Sequence, residues 1–101
     1  LIESRAYNAA SEVMERHSLS RPNDFQLWYK LAETQGQAGN ISAVHQARAE
    51  YFRLLGDYQR ARQQLRSALT IESDNGIAPA EEARLRQKIQ EIENLQQNVY
   101  N

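Results

Sequence analysis

The sequence contains no cysteine, only two prolines and four glycines, and no apolar run near the roughly 18–20 residues of a membrane-spanning helix. The absence of cysteine excludes disulfides, thiolate zinc sites and thiol catalysis. Lys and Arg total 12 against 13 Asp and Glu, so there is no basic excess for neutralising nucleic-acid phosphates. No charged segment followed by an apolar stretch opens the chain, and we therefore expect no signal peptide in this piece.

What is present favours a single all-α domain over residues 1–101. The hydrophobic fraction of 41% is too high for a disordered tail. Long segments rich in Ala, Gln, Glu and Arg carry apolar residues at helical spacing, and none shows the alternation of a strand. The predicted helices lie near 2–18, 24–38, 41–55, 58–71 and 79–97.

Local turn chemistry separates these predicted helices. Gly39 and Gly56 each lie where one helix should stop and the next begin. Asn23 stands three residues before Gln26, which predicts a weak capping box at the start of the second helix. Residues 72–78 form the longest predicted loop.

The spacing of these turns predicts a repeat. Gly39 and Gly56 are 17 residues apart, half of the 34-residue period of the tetratricopeptide repeat, a pair of antiparallel helices. Trp28, Leu31 and Ala32 match the opening of that repeat, with Ala in place of Gly. An ordinary helical bundle remains the alternative. The residues expected to pack repeat against repeat, small ones against bulky ones, are Ala10, Met14, Trp28, Leu31, Ala32, Phe52, Ala61, Leu65 and Ala68.

The two ends of the predicted superhelix differ. The first helix fits the second helix of a repeat whose first helix is missing, so we expect the chain to be the C-terminal part of a longer protein. That interpretation leaves a face with Ala6, Ala10 and Met14 open, through which a homodimer could form. The last helix is polar on its outer face, as a terminal cap requires.

No catalytic or metal-binding motif is found. His17 and His45 are far apart in sequence, and H-x-x-x-H, HExxH, G-x-S-x-G and glycine-rich phosphate loops are all absent. We therefore expect no enzyme activity and no cofactor in this chain. Ten of the 12 basic residues are arginines. Solvated faces paired with glutamate are the simpler interpretation, and a basic strip that meets an acidic partner is the alternative.

Repeat superhelices commonly bind peptides on their concave face. The residues predicted for this face are Tyr29, Glu33, Gln37, Gln46, Glu50 and Arg53. They lack the Lys/Asn set with which chaperone-binding repeats clamp a carboxylate, so a chaperone-tail receptor is not expected.

Residues 45–52, followed by 56–58 and Ala61, resemble the C-terminal repeat domain of the BepA-type periplasmic zinc metalloproteases. Residues 83–85 with Lys88 and Ile89 resemble the closing helix of that family. The resemblance extends over nearly the whole chain.

This resemblance implies a two-part periplasmic protein of a Gram-negative bacterium. Zinc and the HExxH motif would lie in a preceding endopeptidase domain, and none of the zinc ligands can be assigned to this chain. The chain itself would be the non-catalytic part that docks the protease to the outer-membrane β-barrel assembly machinery and to its substrates. Its expected partners are assembly proteins or peptide segments and the parent protease domain, with no nucleic acid and no membrane span. A free-standing repeat adaptor without a protease is the alternative.

Overall fold

The computed structural model describes the backbone of residues 2–100 and the side chains of residues 3–98. Within these residues there are five helices and no strand. The all-α prediction is confirmed, and neighbouring helices pack as hairpins in an arrangement consistent with tetratricopeptide-like repeats. The helices are α1 (Ile2–Ser20), α2 (Phe25–Ala38), α3 (Ile41–Leu54), α4 (Tyr58–Asp74) and α5 (Pro79–Tyr100).

Aspartates cap two of the helix starts. Asp24 has an extended backbone, and its Oδ1 accepts a hydrogen bond of 3.1 Å from the amide of Leu27. The Oδ1 of Asp57 accepts a hydrogen bond, also of 3.1 Å, from the amide of Arg60. The prediction of Asn23 as the cap of α2 is therefore wrong by one residue. The backbone oxygen of Asp24, not of Asn23, accepts the first helical hydrogen bonds.

Two glycines end α2 and α3 in the left-handed conformation. Gly39 has φ 86° and Gly56 has φ 80°. The residue after each glycine donates its amide to a carbonyl in the last turn of the preceding helix. The amide of Asn40 donates to the carbonyl of Gln35, and that of Asp57 to the carbonyl of Phe52, both at 2.9 Å. The predicted loop over residues 72–78 is too long, because α4 continues to Asp74 and only residues 75–78 join it to α5.

The core consists of two apolar clusters that share α3. The first joins α2 and α3 through Leu31, Ala32, Val44 and Ala47, with Met14 and Trp28 packed against it. The second joins α3, α4 and α5. Its buried members are Ala49, Ala61, Leu65, Leu85, Ile89 and Ile92, and Phe52, Tyr58, Leu69 and Ile77 pack on them. Because α3 belongs to both clusters, it is the central element of the molecule.

Small residues occupy buried positions between the helices. Ala61 and Ala68 on α4 are completely buried, and Leu65 between them is also buried. Ala10 is only half-buried. Trp28 is half-buried as well, and its indole Nε1 donates to the carbonyl of Pro22 at 3.0 Å, so it closes one edge of the first cluster.

The open side of α1 differs from the predicted one. Met14 packs against the first cluster, so it is not part of an open face. The exposed apolar side of α1 instead carries Ala6, Ala9 and Val13. None of the described helices combines the length and the apolar character that crossing a membrane requires.

Candidate protein-binding site

A groove of about 660 Å³ runs between α1 and α5 over α2 and α3. The apolar side chains of Trp28, Leu31 and Ala47 line it from α2 and α3. Polar and charged residues of α1 and α5 line it from either side. Helical periodicity explains the lining from α3, because Ala43, Ala47 and the residues one turn further share one face of that helix.

Hydrogen-bonded amides connect α1 to the turn between α2 and α3 beside this groove. Gln35 is buried, and its Nε2 donates to Glu15 Oε1 at 2.7 Å. Its Oε1 accepts from Asn40 Nδ2 at 2.7 Å, and that nitrogen also lies 2.8 Å from Asn8 Oδ1. These bonds fix the position of α1 relative to α2. The sequence pattern prefers an aromatic residue at position 35, so the network was not predicted.

The α5 side of the groove is held by internal ion pairs. Arg84 bonds to Glu81 in its own helix and to Gln46 Oε1 of α3 at 2.7 Å. The hydrogen bond from Arg84 lowers the pKa of Glu81, and the same bond raises the pKa of Arg84. Lys88 Nζ lies 3.7 Å from Glu50 Oε1. The positive charges of α5 in the groove are thus already balanced by carboxylates.

The six residues predicted for one concave face lie on different surfaces. Gln46 and Glu50 line the groove. Arg53 bonds to Glu50 at 2.9 Å and lines an adjoining pocket. Tyr29 and Glu33 line a separate recess of about 120 Å³. Gln37 is exposed and lines neither the groove nor that recess.

The helical period explains this separation. On α3, positions 46 and 50 are one turn apart on the groove side, whereas Arg48, Tyr51 and Phe52 line the recess. The prediction placed the exposed face of α2 beside the groove face of α3. In the structure it is Trp28 and Leu31 that α2 directs to the groove.

Aromatic side chains form a second surface around this recess. The Tyr51 ring centroid lies 5.4 Å from that of Tyr29 and 6.2 Å from that of Phe25. Phe52 continues the cluster, with the guanidinium of Arg60 5.9 Å from its ring centroid. The aromatic residues Phe25 and Tyr29 are one helical turn apart, and this spacing could have predicted the aromatic surface from the sequence.

Most arginines with a resolved partner bond to an acid one turn away. Arg53, Arg84 and Arg86 pair with acids three or four residues earlier in the same helix, and Arg60 pairs with Asp57, which caps α4. These contacts agree with the simpler interpretation of solvated, internally paired faces. The Nε of Arg62 is buried without a hydrogen-bond partner among the described residues.

Two features of the groove were not predicted from the sequence. Leu19 is 84% exposed, the most exposed large apolar side chain of the described part, and it lines the groove beside Trp28. Glu12 and Glu15 line the same wall of α1. The predicted first helix ended near residue 18, so Leu19 was assigned to no helical face, whereas α1 continues to Ser20.

No group of three or more His, Asp or Glu residues suited to a metal ion occurs among residues 2–100. Of the histidines, His45 shares a 2.7 Å hydrogen bond between Nδ1 and Gln64 Oε1, which joins α3 to α4. His17 is exposed on α1. Comparison with family models, curated proteins and solved structures finds no match to this chain. The BepA-type resemblance therefore stays a hypothesis.

Proposed function

We propose that this chain is a non-catalytic protein-binding module whose groove holds a segment of a partner protein. The observation that carries the proposal is the groove of about 660 Å³ with an apolar floor and charged walls. Apolar lining with a few polar groups provides affinity and orientation together.

Photocrosslinking in the full-length protein tests this proposal. A photoreactive residue at position 12 or 19 lies on the wall of the groove, and one at the exposed position 63 of α4 lies outside it. We expect a defined crosslinked partner from the two groove positions and none from position 63. Equal crosslinking from all three positions, or crosslinking from position 63 alone, would contradict the proposal.

A finer proposal rests on the BepA-type resemblance. In it, the chain docks a periplasmic zinc endopeptidase to the outer-membrane β-barrel assembly machinery and its substrates, and zinc belongs to the protease domain. The residues that carry the resemblance also have packing roles in this fold. His45 bonds to Gln64, and Phe52 packs on the second cluster. The presence of His45 and Phe52 therefore supports the fold more directly than it supports the proposed assembly-machinery partner.

The coding sequence upstream of this chain distinguishes the finer proposal from the free-standing adaptor. An upstream HExxH motif supports the protease assignment, and its absence favours the adaptor. The purified chain should also fail to cleave casein in the presence of added zinc under either hypothesis. Zinc-dependent cleavage by the chain alone would contradict both.

A further inference from the structure

The two walls of the groove differ in how far their charges are already satisfied. On the α5 side, Arg84 is bonded to Glu81 and to Gln46. Lys88 faces Glu50, which is also bonded to Arg53. A ligand carboxylate at this wall would compete with internal acids. This side therefore has little remaining attraction for an anionic partner.

The α1 wall carries the groove charges that have few internal partners. The Glu12 side chain makes no hydrogen bond or ion pair with another described side chain, and the Glu15 carboxylate engages only Oε1, in its bond from Gln35. Arg16 lies on the same wall, so two carboxylates stand against one guanidinium. The excess at this wall is negative.

Apolar surface adjoins these carboxylates. Leu19 follows Glu15 by one helical turn and is 84% exposed. Trp28 of α2 lines the same groove and is half-buried, whereas Leu31 below it is buried. The exposed isobutyl group of Leu19 beside this indole gains by burial against an apolar ligand group.

We infer that the groove selects a partner segment in which a Lys or Arg side chain neighbours a bulky apolar side chain. The cationic group pairs with Glu12 and Glu15, and the apolar group packs against Leu19 and Trp28. This inference rests on the proposed protein-binding function and names its ligand chemistry. Charge complementarity sets the preference, since an acidic segment would meet the carboxylates of α1 and the paired cations of α5.

Selection from a library of short random peptides displayed on phage, with the purified full chain as the target, tests the inference. We expect enrichment of peptides that contain Lys or Arg beside Leu, Ile, Phe, Met or Trp. Backbone amide chemical shifts measured by NMR on adding one enriched synthetic peptide should change along α1 and the groove face of α2 and α3. Such a result locates the peptide.

Matched variants separate charge from apolar contact. Glu12→Gln with Glu15→Gln keeps the oxygen that accepts from Gln35, and we expect it to weaken binding of the basic peptide about three- to tenfold. Glu3→Gln with Asp74→Asn removes the same charge outside the groove, at exposed positions, and should leave binding unchanged. Leu19→Ala should weaken binding without altering the preference for basic peptides. Circular dichroism of each variant checks that it is folded.

The outcomes distinguish the inference from the proposed function. Enrichment of acidic or uncharged peptides that shift groove amides would overturn the inference and leave the proposed function standing. The same holds if the two double variants weaken binding equally. If no peptide is enriched, or if the shifts map outside the groove, both fail.

Discussion

A single buried amide, that of Gln35, connects parts of the chain that are distant in sequence. It bonds to Glu15 of α1 and to Asn40, the residue before α3. A polar group in an apolar interior is stable only when its hydrogen bonds are made, so the network favours one position of α1 on α2. The amide thus fixes one wall of the groove.

Gln35→Met should lower the free energy of unfolding by about 1–3 kcal/mol, because it leaves the partners of the amide without their hydrogen bonds. Gln37, two residues further along α2, is exposed. Gln37→Met should therefore change the free energy of unfolding by less than about 0.5 kcal/mol. Urea denaturation of both variants measures the difference. Equal effects of the two substitutions would show that the network does not stabilise the fold.

The ion pair of Glu81 and Arg84 makes a pH-dependent contribution. The hydrogen bond from Arg84 lowers the folded-state pKa of Glu81. A lowered pKa means that the stabilisation is present above the ordinary glutamate pKa and is lost as the pH falls through the folded-state value. Because both side chains are about a third exposed or more, the effect is at most about 1 kcal/mol.

Glu81→Gln should therefore lower the free energy of unfolding at neutral pH and have no effect once the wild-type carboxylate is protonated. Chemical denaturation at a series of pH values measures this difference. Arg84→Gln should lose the same pH-dependent contribution and, in addition, the bond to Gln46, so the double variant should be no less stable than Arg84→Gln alone. A difference that grows towards acid pH would contradict the assignment.

At the scale of the helices, glycine stabilises a left-handed turn but destabilises the interior of a helix. Gly39 adopts φ 86°, a conformation that side chains disfavour, whereas Gly36 lies within α2. A Cβ atom at Gly36 would lie 3.7 Å from Cγ2 of Val44, an ordinary van der Waals distance. Alanine substitutions at these two glycines, three residues apart, can therefore be compared directly.

Gly36→Ala should raise the free energy of unfolding by about 0.5–1 kcal/mol, because alanine restricts the unfolded chain and favours the helix. Gly39→Ala should lower it by about 1–2 kcal/mol, because a Cβ opposes the left-handed conformation. Thermal or urea unfolding gives both values. Effects of the same sign would contradict the structure at the end of α2.

At the scale of the whole molecule, α3 occupies the centre. It contributes to both apolar clusters, whereas α1 packs mainly on α2. The principal extents of 50 × 31 × 19 Å describe an elongated molecule in which successive helices stack in chain order. In such an array stability depends on neighbours, so a terminal helix opens more readily than a central one.

Amide hydrogen exchange should therefore be slower in α3 than in α1. We expect the amides of buried residues of α3, such as Val44 and Ala47, to exchange only by global unfolding. Those of α1 should exchange by local opening, with lower protection. Equal protection in both helices would mean that the molecule unfolds as one unit.

The number and approximate limits of the helices follow from the sequence because their causes are local. Gly39 and Gly56 end helices, and apolar residues such as Ala61, Leu65 and Ala68 recur every three or four residues. The errors are also local. Asp24 rather than Asn23 caps α2, and α4 continues to Asp74.

The candidate site was much less predictable, because it depends on how helices are rotated about their axes. Glu50 was assigned to a binding face and lines the groove, whereas Tyr29 was assigned to the same face and lines a recess elsewhere. Both residues fit an exposed helical position. Only packing decides which neighbour each one faces.

The all-α class and the five described helices follow from local features of the sequence, because turn chemistry and apolar spacing act within a few residues. Which exposed residues share a surface depends instead on how the helices pack, and packing brings Glu12 and Leu19 of α1 into one groove with Lys88 of α5. These contacts join helices that are far apart in the chain. Their rotation and offset are set by the burial of residues such as Gln35 and Ala61, whose partners lie on other helices.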